Sequence, residues 1–144
     1  MRALILILLA VPLVDLGLKA LLHRVLGSRA VPLGRLGSLR IVAARTWLAR
    51  LSGRSSPAAL WILWVLCAGV LAAGSARVPS SRPFVGLLLG GSLSNALESS
   101  LRDGVSDYVC LRFWPAFNLA DLALTAGAIG VAAQLLIAAR GALP

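Results

Sequence analysis

The sequence predicts an all-α membrane protein, with four transmembrane helices and a small extramembrane loop subdomain, forming one domain over residues 1–144. Three observations carry that expectation. Apolar residues make up 59% of the chain and charged residues 13%, with a mean hydropathy of +0.91, so a water-soluble globule of this size would lack its polar coat. Four stretches reach the roughly 20 apolar residues that a helix needs to cross a bilayer: about 3–22, 57–76, 84–101 and 116–139. The few polar residues inside them fall at matching depths.

The first span runs from Ala3 to Leu22. Arg2 and the apolar run Ala3 to Val14 suit a secretory leader, but Asp15 and Lys19 follow without a small-x-small cleavage site, so a retained span is expected. The loop His23 to Ser56 is the one sizeable segment between spans, and it holds seven arginines from Arg24 to Arg54. Within it, Leu39 to Trp47 fits a short strand and Ala43 to Leu51 fits a surface helix; the sequence does not decide between them. The second span, Pro57 to Ala76, carries Trp61 and Trp64 near its start as interfacial anchors, and Cys67 as a small buried hydrophobe. Pro83 and Pro115 precede spans three and four and suit first-turn positions, where the missing N–H has no partner anyway. Gly86 and Gly90 form a small-xxx-small pair that permits close helix approach.

The charge is lopsided, with 14 Lys plus Arg against 5 Asp plus Glu and a net charge of +9. In a soluble domain such a balance suggests nucleic acid; beside apolar spans it points to lipid head groups, and no nucleic-acid partner is expected. Cys67 and Cys110 form no framework, and the single His23 argues against a metal site.

Ionisable groups at membrane depth are costly and mark function. Asp15 and Lys19 lie late in span one, Asn95 and Glu98 late in span three, and Asn118 and Asp121 early in span four. Four crossings bring all six to one membrane face, with Asp107 in the loop between spans three and four. Asp15 and Lys19, at i and i+4, read either as a local ion pair or as part of a site. Gly91, Asn95, Glu98 and Arg102 share one helix face, as do Asn118, Asp121 and Thr125. Glu98 is expected as a solvated carboxylate near the interface.

Asp107 and Asp121 are the two carboxylates of the stretch Gly104 to Pro144. A helix starting at Ala116 puts Asp121 about 8 Å along its axis, and the short return loop lets the two meet. Two adjacent carboxylates share one proton, which leaves one to activate water and the other to donate to a carbonyl oxygen. A carboxylate used for proton coupling in a small transporter is the alternative. Ser–His and Ser–Lys schemes do worse, because Gly90-Gly91-Ser92-Leu93-Ser94 is not a G-x-S-x-G elbow and Lys19 already has Asp15 one turn away.

Phe117-Asn118-Leu119-Ala120-Asp121 after Pro115-Ala116 resembles the PAFNxAD box of the lipoprotein signal peptidases, the type II signal peptidases. Gly90 to Asn95 resembles their GGxxGN box, Val105 to Val109 their VxDF box, and Asp15 to Lys19 their DxxxK motif. The order of the boxes and the four-span layout agree over nearly the whole chain. The resemblance implies an intramembrane aspartic endopeptidase that removes the signal peptide from diacylglyceryl-modified prolipoproteins. Asp107 and Asp121 match its catalytic positions, and Asn95, Asn118, Asp15, Lys19 and Glu98 its substrate-binding or supporting positions. It also implies no metal and no other cofactor, a prolipoprotein substrate and membrane lipids as partners, a monomer, and a multi-pass place in the bacterial inner membrane with the site near the outer leaflet. Residues 23–56 would then be an extracytoplasmic β-cradle with a surface helix.

The sequence departs from the family in two places. Asn95-Ala96-Leu97-Glu98-Ser99 keeps the acid of the NxxDR motif and loses its arginine, and no NxGAAF box is recognisable in the first loop, where Ala43-Ala44-Arg45-Thr46-Trp47 stands. An inactive relative that binds lipidated peptides is therefore a second reading. The arginines of the large loop also oppose the orientation that the resemblance implies, since cytoplasmic loops normally carry the positive charge.

Overall fold

The computed structural model describes residues 1–44, 57–102 and 104–141. Its elements are α1 (Arg2–Leu26), β1 (Val31–Pro32), β2 (Gly37–Ala44), α2 (Pro57–Arg77), a 3-10 turn (Pro79–Ser81), α3 (Arg82–Arg102), β3 (Val105–Leu111) and α4 (Leu119–Gly141). Three helices are long and apolar enough to cross a membrane: Arg2–Leu26, Ala58–Arg77 and Leu119–Gly141, with mean hydropathies of 2.3, 2.0 and 2.0. α3 has a comparable length of 21 residues, but Ser92, Ser94, Asn95 and Glu98 dilute its apolar character.

α3 is the centre of the molecule. α1 and α4 pack along it on two sides, and α2 packs against it more sparsely. Glycine makes the close approaches possible. A Cβ added at Gly86 would stand 2.9 Å from the Leu4 carbonyl oxygen, and one at Gly91 would stand 2.5 Å from the Ala120 carbonyl oxygen. Leu4, Val85 and Leu89 form a small apolar core between α1 and α3. α2 is fastened to α3 by two indole hydrogen bonds, Trp61 Nε1 to Ser100 Oγ (3.1 Å) and Trp64 Nε1 to Ser92 Oγ (3.0 Å). These tryptophans therefore also act as inward fasteners.

The distribution of polarity is inverted relative to a soluble domain. The largest fully buried side chains include Lys19, Asn118 and Asp15, while Leu13, Val70 and Ile129 lie on the outside. A chain whose helices face hydrocarbon must keep its polar groups in its interior.

A three-stranded antiparallel sheet, ordered β1-β2-β3, closes the end of the bundle where α1 and α3 finish and α4 begins. β1 and β2 form a hairpin that pairs Val31 with Leu39, and Gly34 takes the left-handed φ of 62° that the turn requires. β2 pairs with β3 from Gly37↔Leu111 to Ala44↔Val105. On the other side of β3, Phe117 pairs with Val109.

Several expectations are corrected. The mostly helical class is kept with a small sheet beside it: residues 23–56 supply β1 and β2, and the segment after α3 is a third strand and not a loop. β2 covers the first part of the strand read at Leu39 to Trp47 and begins earlier, at Gly37; the helix read at Ala43 to Leu51 lies almost wholly outside the described residues, as does Trp47. α4 starts at Leu119 rather than Ala116, because Phe117 is held extended against β3. Asp121 is thus in the first helical turn. Cys67 is exposed on α2 rather than buried, since an apolar run marks lipid depth without telling which side faces protein.

Candidate active site

The start of α4 organises the site. The first N–H groups of any helix lack intrahelical partners, and here side chains from three elements satisfy them. Leu119 N–H donates to the Tyr108 hydroxyl (2.8 Å), Ala120 N–H to Asp15 Oδ1 (3.1 Å) and Asp121 N–H to Asn118 Oδ1 (2.9 Å). Asn118 N–H in turn donates to Asp121 Oδ2 at 3.1 Å. Asn118 and Asp121 therefore form a reciprocal capping box, and the spacing that reads as a sequence motif is the spacing that a helix start needs. The positive end of the helix also favours negative charge at Asp121.

Asn118 links the two aspartates. Its Nδ2 donates to Asp107 Oδ1 at 2.9 Å while its backbone N–H holds Asp121. Asp107 comes from β3 and is 8% exposed. Burial first, and then the charge of Asp121, push the Asp107 carboxyl up from 3.8 to about 6, against the pull of the Asn118 hydrogen bond. The neighbouring Tyr108 hydroxyl is pushed up to about 12, chiefly by burial, and stays protonated while it caps α4.

A second layer fixes the first. Asn95 Nδ2 donates to Asp121 Oδ1 at 2.9 Å. The other end of that amide, Oδ1, accepts from Lys19 Nζ (3.1 Å) and from Asn118 Nδ2 (3.3 Å), so the amide can point only one way. Lys19 also forms ion pairs with Asp15 (2.7 Å) and Glu98 (2.9 Å), with all three side chains buried. Asp15 Oδ2 also accepts from Ser94 Oγ at 2.6 Å. Glu98 is thus not the solvated carboxylate that its position near the helix end suggests: it is 3% exposed, enclosed by α1 and by the sheet.

All seven residues singled out from the sequence therefore lie in one connected network: Asp15, Lys19, Asn95, Glu98, Asn118 and Asp121 with Asp107. Arg102, on the same face of α3, stays exposed and outside it. The sequence reasoning missed Tyr108, Ser94, Ser106 and His23. Tyr108 and Ser106 flank Asp107 on β3, where the sequence predicts a loop. His23 follows Lys19 by four residues, a spacing that would have revealed it. Among the described residues, no group of three or more His, Cys, Asp and Glu side chains is arranged to hold a metal ion.

Comparison with known proteins bears on this network. A lipoprotein signal peptidase of Moorella thermoacetica is 39% identical over 79 residues, covering 52% of this chain and 53% of its own length. One from Xylella fastidiosa is 36% identical over 91 residues, covering 53% and 54%. One from Pelotomaculum thermopropionicum is 42% identical over 77 residues, covering 50% and 49%. The chain spans about half the length of the curated relatives it matches. Two solved structures, described as bacterial membrane enzymes determined by the in meso method, share the fold. One gives a TM-score of 0.79 over 94% of both chains, and the other 0.81 over 99% of this chain and 93% of its own, each at 20% identity. The family model for Signal peptidase (SPase) II matches residues 7–137, nearly the whole chain, and the chain belongs to that family.

Proposed function

We propose that this chain is an aspartic endopeptidase that removes the signal peptide from lipid-modified prolipoproteins, with Asp107 and Asp121 as its catalytic dyad. Asn118 carries the reading: one residue donates to both carboxylates, through Nδ2 to Asp107 and through its N–H to Asp121. The names of the curated relatives support the substrate class.

The geometry supports the following roles. Asp121 accepts from Asn95 and from the Asn118 N–H at the positive end of α4, which suits the ionised form. Burial and the charge of Asp121 raise Asp107 to about 6, which brings its protonated form within reach near neutral pH and suits it to the acid role. Asp121 takes a proton from water as the water oxygen attacks the scissile carbonyl carbon. Asp107 gives its proton to the carbonyl oxygen, forming a neutral gem-diol. The proton on Asp121 then passes to the leaving nitrogen, a gem-diol proton returns to Asp107, and the C–N bond breaks. The dyad itself supplies acid and base without a cofactor. The chain acts as a monomer in this reading.

α3 is the fourth crossing in this reading, its polar face covered by α1 and α4. The protein is then a multi-pass protein of the bacterial inner membrane. Its sheet lies at the outer leaflet, where the lipid-modified cysteine of an exported substrate resides. The arginines of the first loop would meet anionic head groups there.

The test is cleavage of a diacylglyceryl-modified prolipoprotein by the purified protein in detergent, beside Asp107→Asn and Asp121→Asn. The parent is expected to cleave, and both variants to lose turnover while keeping the helical circular-dichroism signal. A folded parent that binds substrates of several cleavage-site sequences and cuts none would refute the peptidase and favour a lipid-peptide-binding relative.

A further inference from the structure

α1 presents Asp15, Lys19 and His23 at intervals of four residues, so the three side chains stack along one face. Together they reach α3, α4 and β3. Asp15 holds the head of α4 through Ala120 N–H, and Lys19 holds Asn95 and Glu98 on α3. His23 Nε2 lies 3.1 Å from Ser106 Oγ on β3. The first two rungs act on the surroundings of Asp121, and the third reaches the residue next to Asp107.

Ser106 is a junction. It is 7% exposed. Its carbonyl accepts from Asn118 Nδ2 at 3.5 Å, and its hydroxyl and N–H face the Glu98 carboxylate. Neighbouring side chains on a strand point to opposite faces, so a hold on Ser106 sets the rotation of the Asp107 peptide without occupying the space in front of its carboxylate. Leu39 pairs with Val109 and Val42 with Asp107, so β2 advances three residues while β3 advances two, and the ladder is irregular between Val109 and Asp107. Regular pairing resumes at Asp107 and continues through Ser106 to Val105, and the side-chain tie at Ser106 adds to that short stretch of ladder.

We propose that His23 is a positioning residue: through Ser106 it holds β3 so that the Asp107 carboxyl stands in register with Asp121. The proposal rests on the dyad reading above. One side-chain hydrogen bond of ordinary strength predicts an effect of about three- to tenfold on the chemical step.

The experiment compares kcat and KM for prolipoprotein cleavage by the parent, His23→Leu, His23→Gln, Ser106→Ala and the double variant His23→Leu/Ser106→Ala. His23→Leu and Ser106→Ala should each lower kcat about three- to tenfold with little change in KM. Glutamine, which can place a donor near the Nε2 position, should restore kcat, and the double variant should be no worse than the weaker single one. Additive losses, failure of glutamine to restore kcat, or a loss confined to KM would overturn the proposal. Hydrogen exchange of the segment 105–111 is read on the same variants in the Asp107→Asn background, where no cleavage occurs. Faster exchange in His23→Leu, reversed in His23→Gln, supports positioning; unchanged exchange overturns it. An inactive parent would sink the dyad reading alone, and the exchange result would then decide on His23.

Discussion

Lys19 offers the most severe test of the network. It is 2% exposed and lies 2.7 Å from Asp15 and 2.9 Å from Glu98. Replacing it with methionine keeps most of the volume and leaves two buried carboxylates without their cation. Removing one partner of a buried ion pair costs about 3–5 kcal/mol. For a chain of this size that corresponds to a fall in Tm of roughly 10–15 °C, measurable by differential scanning fluorimetry in detergent. The triple variant Lys19→Met/Asp15→Asn/Glu98→Gln removes all three charges together, and neutral replacement of a buried charge cluster is often tolerated. It should regain at least half of the lost Tm. Cleavage should not recover: Asn95 loses the ammonium that fixes its amide toward Asp121, and turnover should stay about 10- to 100-fold down. A Lys19→Met protein that melts within about 2 °C of the parent, or a triple variant no more stable than the single one, would refute the argument.

Three further outcomes follow from the same geometry. Asp107 has its folded-state pKa raised from 3.8 to about 6, so the folded protein binds more protons than the unfolded chain between those values and stability falls as pH rises through them. Asp107→Asn should therefore be more stable than the parent at pH 7.5 by an amount on the order of 2 kcal/mol, seen as a higher Tm, and the gap should close near pH 4 in thermal melts across that range. Gly91→Ala puts a methyl group 2.5 Å from the Ala120 carbonyl oxygen and should cost about 1–3 kcal/mol with loss of turnover, whereas Gly69→Ala, with open space around it, should be neutral or mildly stabilising in the same melts. Asn118→Ser keeps an oxygen to cap Asp121 N–H but loses the donor to Asp107, so its Tm should stay near that of the parent while cleavage falls steeply. Asn118→Ala loses both and should melt lower by about 1 kcal/mol in chemical denaturation.

The long-range convergence of the site was legible in the sequence because span order and helical spacing are simple geometry. Asp15 and Lys19 late in one helix, Asn95 and Glu98 late in another, and Asn118 and Asp121 early in a third must meet if the helices are antiparallel neighbours. β3 was not legible. Its Val105-Ser106-Asp107-Tyr108 stretch is buried throughout, so it lacks the alternation that marks a half-exposed strand, and its partner β2 lies some sixty residues earlier, where no local pattern points to it. The true start of α4 was hidden for a related reason. Pro115 looks like a first-turn proline, but Phe117 is drawn out of the helix by pairing with Val109. Helical spacing placed Glu98 on the correct face of α3 without revealing that the sheet and α1 cover it.

The composition of the cations fits this architecture. Thirteen of the fourteen are arginine, and the one lysine is buried. An ammonium is a compact charge, and Lys19 has three oxygens from two helices around it: Asp15 Oδ2 and Glu98 Oε2 as ion pairs and Asn95 Oδ1 as a hydrogen-bond acceptor. A guanidinium offers five donors in a flat fork and cannot converge on three acceptors arranged around a point. α3 must also lie close against α1, since a Cβ at Gly90 would already stand 2.9 Å from Val11 Cβ; a longer side chain at Lys19 would push the two helices apart. Lys19→Arg, which preserves the charge, should therefore fail to preserve the site. Its Tm should fall less than that of Lys19→Met because the carboxylates keep a counter-charge, yet its turnover should fall as far. If Lys19→Arg cleaves at the parental rate, charge alone suffices at this position, and the geometric role assigned to the ammonium, with the orientation of Asn95 that depends on it, is wrong.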